Sequence, residues 1–297
     1  MFKNEYLSIV LDEVARIREE YQLDPNTPIC DYIFVILQKE CILAKWPEDE
    51  QLDLDGLSTD KVVHGRLETV VYINSAKSKE KQNFCAAHEL GHRHKLDRQL
   101  KDAFPEDIIN YSVIEDVMNR FAAELMMPAG DFKRRSGGLY KTCQGEKDGR
   151  KVVYIKKLLE SIAMLMDFYY VPYKAVVLRL QETNIVSDRI IDVLLDFEKS
   201  NAGRNIIDEI IKKQGITRLR TPDCKTQYSK QLENLHDILK DTSITKYMTS
   251  NELKKYLKAM GFAEDDITLI EDMKKIESET IEMDEIKESE EPENPES

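Results

Sequence analysis

The residues best suited to chemistry lie at positions 88–92, which read His-Glu-Leu-Gly-His, an H-E-x-x-H motif. On a helix, His88 and His92 lie on one face about one turn apart, so both imidazoles can reach the same ion. Glu89 lies about 100° around the helix from His88, beside that ion. Zinc binds imidazole nitrogen and, in catalytic sites, keeps a position for a water whose pKa falls to about 7. The motif therefore predicts a zinc-dependent hydrolytic site with Glu89 as the base.

The same motif has an alternative, purely structural interpretation. With this composition it arises by chance in about one chain in a hundred. The two histidines would then lie on an ordinary amphipathic helix, with Glu89 paired to a lysine. The context favours the metal site, because the helix follows a β-branched strand and Gly91 lets another segment approach closely.

Two histidines and a water leave a tetrahedral catalytic zinc site one protein ligand short, and that ligand is commonly a carboxylate. The candidate acids lie downstream of the motif: Asp97, Glu106, Asp107, Glu115, Asp116 and Glu124. We favour Glu115, because it opens a second helix on which it shares a face with Asn119, whereas Glu124 points roughly the opposite way. Asn119 is predicted to hold a metal ligand in place by a hydrogen bond. The alternative interpretation of Glu115 is that its carboxylate only caps the second helix.

Other histidines and tyrosines are assigned less specific roles. His94 lies about 200° from His92 and is expected at the surface. His64 and His236 have no ligand-like spacing. Three tyrosines could donate a hydrogen bond to a developing oxyanion, and the sequence does not choose among them: Tyr111, Tyr140 and Tyr154.

The elements that must position these residues follow from hydrophobic periodicity. Strands are expected at residues 41–46 and 68–74, with residues 62–66 as a hairpin partner of the second. Helices are expected at residues 1–21, 83–96 and 114–127, the last ended by Pro128, with a loop at residues 104–107. Residues 32–37 fit a helix or a strand equally well.

The remaining chain is predicted to be helical up to an acidic end. Residues 136–150, with four glycines and several cations, are expected to form a flexible basic loop that could cover a cleft. Further helices are expected at residues 153–170, 173–182, 188–197, 206–213, 231–240 and 251–260. Residues 277–297 hold ten acids and one lysine and are expected to be disordered.

Composition limits the class of protein. The chain has 297 residues, 41% of them hydrophobic and 33% charged, and no apolar run approaches the ~20 residues of a membrane span. The net charge is −13, most of it in residues 277–297, so the body offers nucleic acid little attraction. Five scattered cysteines and an amphipathic amino-terminal segment, unlike a signal peptide, indicate a cytoplasmic protein that does not bind membranes.

Residues 83–92, Asn-Phe-Cys-Ala-Ala-His-Glu-Leu-Gly-His, and residues 115–128, which begin Glu-Asp-Val-Met-Asn, together resemble the ImmA/IrrE metallopeptidases. The resemblance covers roughly residues 60–185. It implies that His88, His92 and Glu115 bind zinc and that Glu89 is the base. It also implies a protein substrate, since members typically cleave helix-turn-helix repressors of mobile elements or stress regulons. The sequence departs from the family pattern at two pairs of positions: Arg93 with His94, and Val117 with Met118.

The resemblance sets the expected architecture. We expect an α+β fold with a zincin-like core, containing a small sheet and an active-site helix that carries the H-E-x-x-H motif, followed by a helical carboxyl-terminal region. The peptidase domain would span residues 1–185, including a helix-turn-helix-like segment at about 154–185. A helical region of unknown role (186–276) and the acidic tail (277–297) would follow.

The leading hypothesis is a zinc-dependent endopeptidase whose extended substrate pairs with a sheet edge near residues 70–74. One alternative is a DNA-binding regulator that uses the helix pair at residues 162–180 and a structural zinc. Its second helix offers only Lys174 and Arg179 as cations, so direct nucleic-acid binding is not expected. Another alternative is a toxin-antitoxin or phage-encoded partner-binding protein with vestigial catalysis.

Overall fold

The computed structural model describes residues 3–46, 55–63, 66–107, 109–222 and 227–228. The chain divides into two compact units, residues 1–47 with 54–229 and residues 48–53 with 230–297. The helices predicted at 231–240 and 251–260, the tail at 277–297, and both His64 and His236 lie outside the described residues.

The fold is mixed α and β, mostly helical with a small sheet, as predicted. The helices among the described residues are α1 (Leu7–Glu20), α2 (Ile33–Glu40), α3 (Lys79–Arg93), α4 (Leu96–Ala103), α5 (Tyr111–Met126), α6 (Ala129–Cys143), α7 (Ile155–Tyr169), α8 (Tyr173–Glu182), α9 (Asp188–Lys199) and α10 (Asn201–Lys213). The strands are β1 (Ile42–Trp46), β2 (Gly56–Val63), β3 (Arg66–Asn74), β4 (Gln144–Lys147), β5 (Arg150–Val153) and β6 (Gln227–Tyr228). None of the helices in these segments has the length and hydrophobicity that crossing a membrane requires.

The main sheet has the strand order β2-β3-β1-β6. Strands β2 and β3 form an antiparallel hairpin, whereas β1 runs parallel to β3 with Ile42 opposite Val70. Residues 70–74 therefore have a neighbour on each side, and the prediction that they form a sheet edge is wrong. The parallel partner β1 precedes the hairpin in the chain, so local sequence could not reveal that it occupies this side. The outer strand next to β3 is β2.

The ambiguous segment at residues 32–37 is helical. Ile33, Ile36 and Leu37 are fully buried, and their spacing places them on one face of α2. Helix α1 is also amphipathic and buries Val10, Val14 and Ile17. These two helices pack in the same core as the helices that carry the candidate site.

Helices α3 and α5 pack closely at Gly91. A Cβ atom built on Gly91 would lie 2.8 Å from Met118 Sδ and 3.0 Å from Phe121 Cδ1, both on α5. Only a glycine leaves room for this approach without movement of its neighbours. The sequence-based expectation of a close contact at Gly91 is confirmed, and Met118, one of the departures from the family pattern, supplies part of it.

Replacing Gly91 with Val should destabilise the protein by about 1–3 kcal/mol, because the added methyl groups overpack the α3–α5 contact. The measurement is the free energy of unfolding from chemical denaturation. Gly138→Val on α6 is the matched control, since a Cβ there meets nothing within 4 Å and valine has the better helix propensity. Equal stability of the two variants would show that the α3–α5 contact is not tight.

The prediction that residues 136–150 form a flexible loop is wrong. Residues 129–143 form α6, because Phe132, Ser136 and Cys143 fall on one buried face that outweighs the helix-breaking tendency of the glycines. Strands β4 and β5 then form a hairpin whose two-residue turn, Asp148 and Gly149, has positive φ at both positions. That is the conformation of a type I′ turn.

Helices α7 to α10 pack against one another. The connection between α7 and α8 is short, as in a helix-turn-helix. The compact unit continues through α9 and α10, beyond residue 185. The expected functional boundaries at 185 and 276 stay predictions.

Candidate metal centre

Helices α3 and α5 bring three metal-ligating side chains together. The Nε2 atoms of His88 and His92 are 3.3 Å apart on α3. Glu115, in the second turn of α5, places Oε2 3.2 Å from Nε2 of His88 and Oε1 3.5 Å from Nε2 of His92. Within the described residues these three side chains form the one group of His, Cys, Asp or Glu whose ligand atoms could hold a metal ion.

The spacing of the three donors fits a tetrahedral ion. Two donor atoms each about 2.0–2.1 Å from such an ion lie roughly 3.3–3.5 Å apart. The Nε2 atoms of His88 and His92 are 3.3 Å apart, and they lie 3.2 and 3.5 Å from the two different carboxylate oxygens of Glu115, Oε2 and Oε1. Two imidazoles and one carboxylate are also the donor set of a common class of catalytic zinc site. The group therefore has the donor atoms that a zinc ion with one open position would need.

Asn119 lies one turn after Glu115 on α5 and contacts the first histidine. Its Oδ1 atom is 3.1 Å from Nδ1 of His88. If Nδ1 of His88 carries the proton, it donates to Asn119 and leaves Nε2, the atom nearest Glu115, free to bind a metal. This arrangement supports the orienting role predicted for Asn119.

The charges within the group stabilise one another. Burial alone would raise the pKa of Glu115, but hydrogen bonds with His88 and His92 lower it well below its usual value. Burial alone would lower the pKa of His88, but the hydrogen bond with Glu115 and the charge of Glu89 raise it overall. Glu115 is thus ionised at neutral pH, which suits a cation site.

Glu89 lies beside the group and is 5% exposed. Burial raises its pKa, and the nearby charges of His88 and His92 offset this shift only in part. A carboxylate with a raised pKa is a better proton acceptor near neutral pH than an ordinary one. Glu89 is therefore a buried carboxylate with a raised pKa beside the three candidate ligands.

The outer strand β2 is held against α3. A Cβ atom on Gly56 would collide with Sγ of Cys85 on α3, so the strand backbone lies directly on the helix. At the other end of α3, Nζ of Lys95 is 2.6 Å from Oδ2 of Asp60 on β2. Oδ1 of Asp60 accepts a hydrogen bond from Thr69 on β3. The edge of the sheet is therefore fixed beside the helix that carries both histidines.

The prediction that His94 lies at the surface is wrong. The His94 side chain is only 8% exposed, with Nδ1 2.6 Å from Oε1 of Glu13 and Nε2 2.8 Å from Oε2 of Glu40. Burial would lower the pKa of His94, but the two carboxylates raise it, and in turn His94 helps to lower the pKa of Glu13 to about 2. Glu13 gave a signal of this role, because it falls among the apolar positions of an amphipathic helix.

The other candidate acids and tyrosines have different surroundings. Glu124 is buried and pairs with Arg179, while Asp107 accepts hydrogen bonds from Lys3 and Tyr6. Tyr111 lies on α5 one turn before Glu115 and is 58% exposed. The remaining two tyrosines lie on other elements, Tyr140 on α6 and Tyr154 immediately before α7.

The model of the IrrE N-terminal-like domain, Peptidase_M78, matches residues 48–181. Residues 48–181 are thus similar to the IrrE N-terminal-like domain, in agreement with the family resemblance of the two sequence motifs. No curated protein and no solved structure gives a significant match. The IrrE-like match includes α3 and α5 with all three candidate ligands, and it leaves out α1 and α2.

Proposed function

We propose that this chain is a zinc-dependent endopeptidase that cleaves a helix-turn-helix repressor or a similar regulatory protein. The observation that carries the proposal is the spacing of His88, His92 and Glu115, which matches a tetrahedral zinc site and lies within a segment of a peptidase family. The zincin-like nature of the core and the choice of substrate are parts of the proposal.

The side chains of the site would have three different roles: metal binding, orientation of a ligand and proton transfer. His88, His92 and Glu115 would hold zinc, and Asn119 would fix the ring of His88. Zinc bound there would polarise the scissile carbonyl and lower the pKa of a water molecule. Glu89 would accept the proton of the attacking water and pass it to the departing amine, a contribution of about 10²–10⁴-fold in rate.

The substrate would bind as an added strand on the outer edge of β2. Strand β2 is the last in the described sheet order on the side of β3, and it lies on α3 at Gly56. An extended peptide that pairs with a sheet edge gains its affinity from backbone hydrogen bonds. A peptide on β2 would run beside the histidines of α3, as cleavage within a chain requires.

The DNA-binding alternative has little support from α8, which would be the reading helix of the helix-turn-helix-like segment. Arg179, one of its two cations, is 0% exposed and donates to Glu124 and to the carbonyl oxygen of Met127. Tyr173, Val176 and Leu180 are buried as well. A helix so enclosed presents little surface to a DNA groove.

Replacing Glu115 with Gln should weaken zinc binding by more than about 100-fold, beyond the 10–100-fold typical of residues that only hold a ligand. The measurement is zinc affinity by competition with a chromophoric chelator. Asp116→Asn, which neutralises the neighbouring acid on α5, is the control and should bind like the unchanged protein. Unaltered affinity in Glu115→Gln would exclude Glu115 as the third ligand.

The proposal is tested by a cleavage assay with a defined substrate. The purified chain is mixed with a purified small helix-turn-helix repressor, with zinc and then with excess chelator, and the masses of the products are measured by mass spectrometry. We expect two fragments that together account for the whole repressor, as a single cut produces, and we expect them only in the absence of chelator. Binding of the repressor without cleavage would favour the partner-binding alternative with vestigial catalysis.

A further inference from the structure

The amino-terminal helices contact both helices of the metal centre. They lie outside the segment that matches the peptidase family. Besides apolar packing, charged side chains make some of these contacts, and two of them are buried in α1: Glu13 at 6% and Arg18 at 5% exposure. Buried charges are costly unless they are paired or hydrogen-bonded, so their retention here calls for a physical reason.

The first set of contacts fixes the carboxyl end of α3. His94, two residues after His92, bridges Glu13 of α1 and Glu40 of α2. Oε1 of Glu40 also accepts a hydrogen bond from Tyr21, and Nε of Arg93 donates to the carbonyl oxygen of Glu40 at 3.0 Å. Both residues that depart from the family pattern here, Arg93 and His94, therefore bind the amino-terminal helices.

The second set fixes α5 from the same helix. Nη2 of Arg18 donates to the carbonyl oxygen of Leu125 near the end of α5, and Nη1 donates to the carbonyl oxygens of Asp24 and Thr27. Glu13 and Arg18 lie five residues apart on α1. The single helix α1 therefore contacts the end of α3 through Glu13 and contacts α5 through Arg18.

We propose that α1, through Glu13 to His94 and Arg18 to Leu125, is a brace that sets the spacing of α3 and α5 and so preorganises the metal site. This inference rests on the proposed function. His88 and His92 come from α3 and Glu115 comes from α5, so their 3.2 and 3.5 Å separations depend on how the two helices are held. Metal sites need such placement to within about 0.5 Å. His94, Glu13 and Arg18 are positioning residues and do not touch the ion.

The test compares zinc affinity with stability in the full chain. His94→Leu removes the ion pairs with Glu13 and Glu40, and Glu13→Leu removes the pair with His94 together with the pair between Glu13 and Arg16. Glu13→Gln keeps an oxygen that can accept the hydrogen bond from His94, so it should restore most of what Glu13→Leu loses. Tyr173→Phe is the control, since it removes a buried hydrogen bond to Leu194 in the remote α8–α9 contact.

We expect zinc affinity about tenfold weaker in His94→Leu and Glu13→Leu, at the low end of the effects of residues that hold metal ligands. Tyr173→Phe should lose stability in urea without any change in zinc affinity. Arg18→Met, which releases α5 instead of α3, should also weaken zinc binding and serves as the readout if His94→Leu does not fold.

The outcomes separate the brace from the function it rests on. If the unchanged protein binds no zinc, the proposed function fails. If the unchanged protein binds zinc and His94→Leu, Glu13→Leu and Arg18→Met bind it equally well, the brace is overturned and the function stands. If Tyr173→Phe weakens zinc as much as these variants do, the effect is general destabilisation and the brace is overturned as well.

Discussion

Replacing Glu89 with Gln should slow peptide cleavage by about 10²–10⁴-fold and leave zinc bound, because the amide cannot take the proton of the attacking water. The side chains predicted to bind the ion are unchanged in this variant. Zinc content by metal analysis and the initial rate of substrate cleavage are the two measurements. The variant separates the base from the ligands, which a ligand substitution cannot do.

Two further variants are the controls for Glu89→Gln. His88→Ala should lose both zinc and cleavage, since it removes a ligand. Asp102→Asn, which neutralises an exposed acid on α4, should change neither. Cleavage by Glu89→Gln at the rate of the unchanged protein would refute the assignment of Glu89 as the base.

Replacing Arg179 with Met should destabilise the protein by about 3–5 kcal/mol, because the buried carboxylate of Glu124 keeps only Arg120 as a partner and the carbonyl oxygen of Met127 loses its donor. Arg179 is fully buried between α5 and α8, where it contacts Glu124, Glu182 and the carbonyl oxygen of Met127. The measurement is the free energy of unfolding in urea. Lys199→Met breaks an exposed ion pair with Asp196 and should cost less than about 1 kcal/mol.

The same pair predicts a dependence on pH. Burial would raise the pKa of Glu124, but Arg179 and Arg120 lower it below its usual value. A carboxylate whose pKa is lower in the folded state stabilises the fold above its unfolded pKa of about 4.3, and this contribution is lost as the pH falls through the folded value. The stability gap between the unchanged protein and Arg179→Met should therefore shrink in acid. A gap that stays constant below pH 4 would contradict this account.

The buried Arg179 also shows why the helix-turn-helix-like segment was hard to interpret from sequence. The pattern of α7 and α8 predicts two helices and a short turn, and the structure has both. Whether an arginine faces solvent or a buried carboxylate depends on the element packed against it, here α5, more than fifty residues earlier. The sequence showed the cation and could not show its partner.

Long-range pairing explains the other wrong predictions. His94 seemed exposed because its angle on α3 points away from His92, but α1 and α2 cover that side with Glu13 and Glu40. Residues 70–74 seemed to form an edge because the parallel partner β1 is not their neighbour in sequence. The glycines of residues 136–150 indicated a loop, yet the first part of the segment continues a helix with a buried face and the rest forms a β-hairpin.

What the sequence determined by itself was local. Helical periodicity put His88 and His92 on one face, distinguished Glu115 from Glu124, and identified Asn119 as a neighbour of Glu115, because 3.6 residues per turn fixes these directions wherever the helix is placed. Only the tertiary structure decided how close α3 and α5 come, which strand is outermost, and which helices hold them. These depend on packing between segments distant in the chain, and no local repeat encodes the distance between two helices.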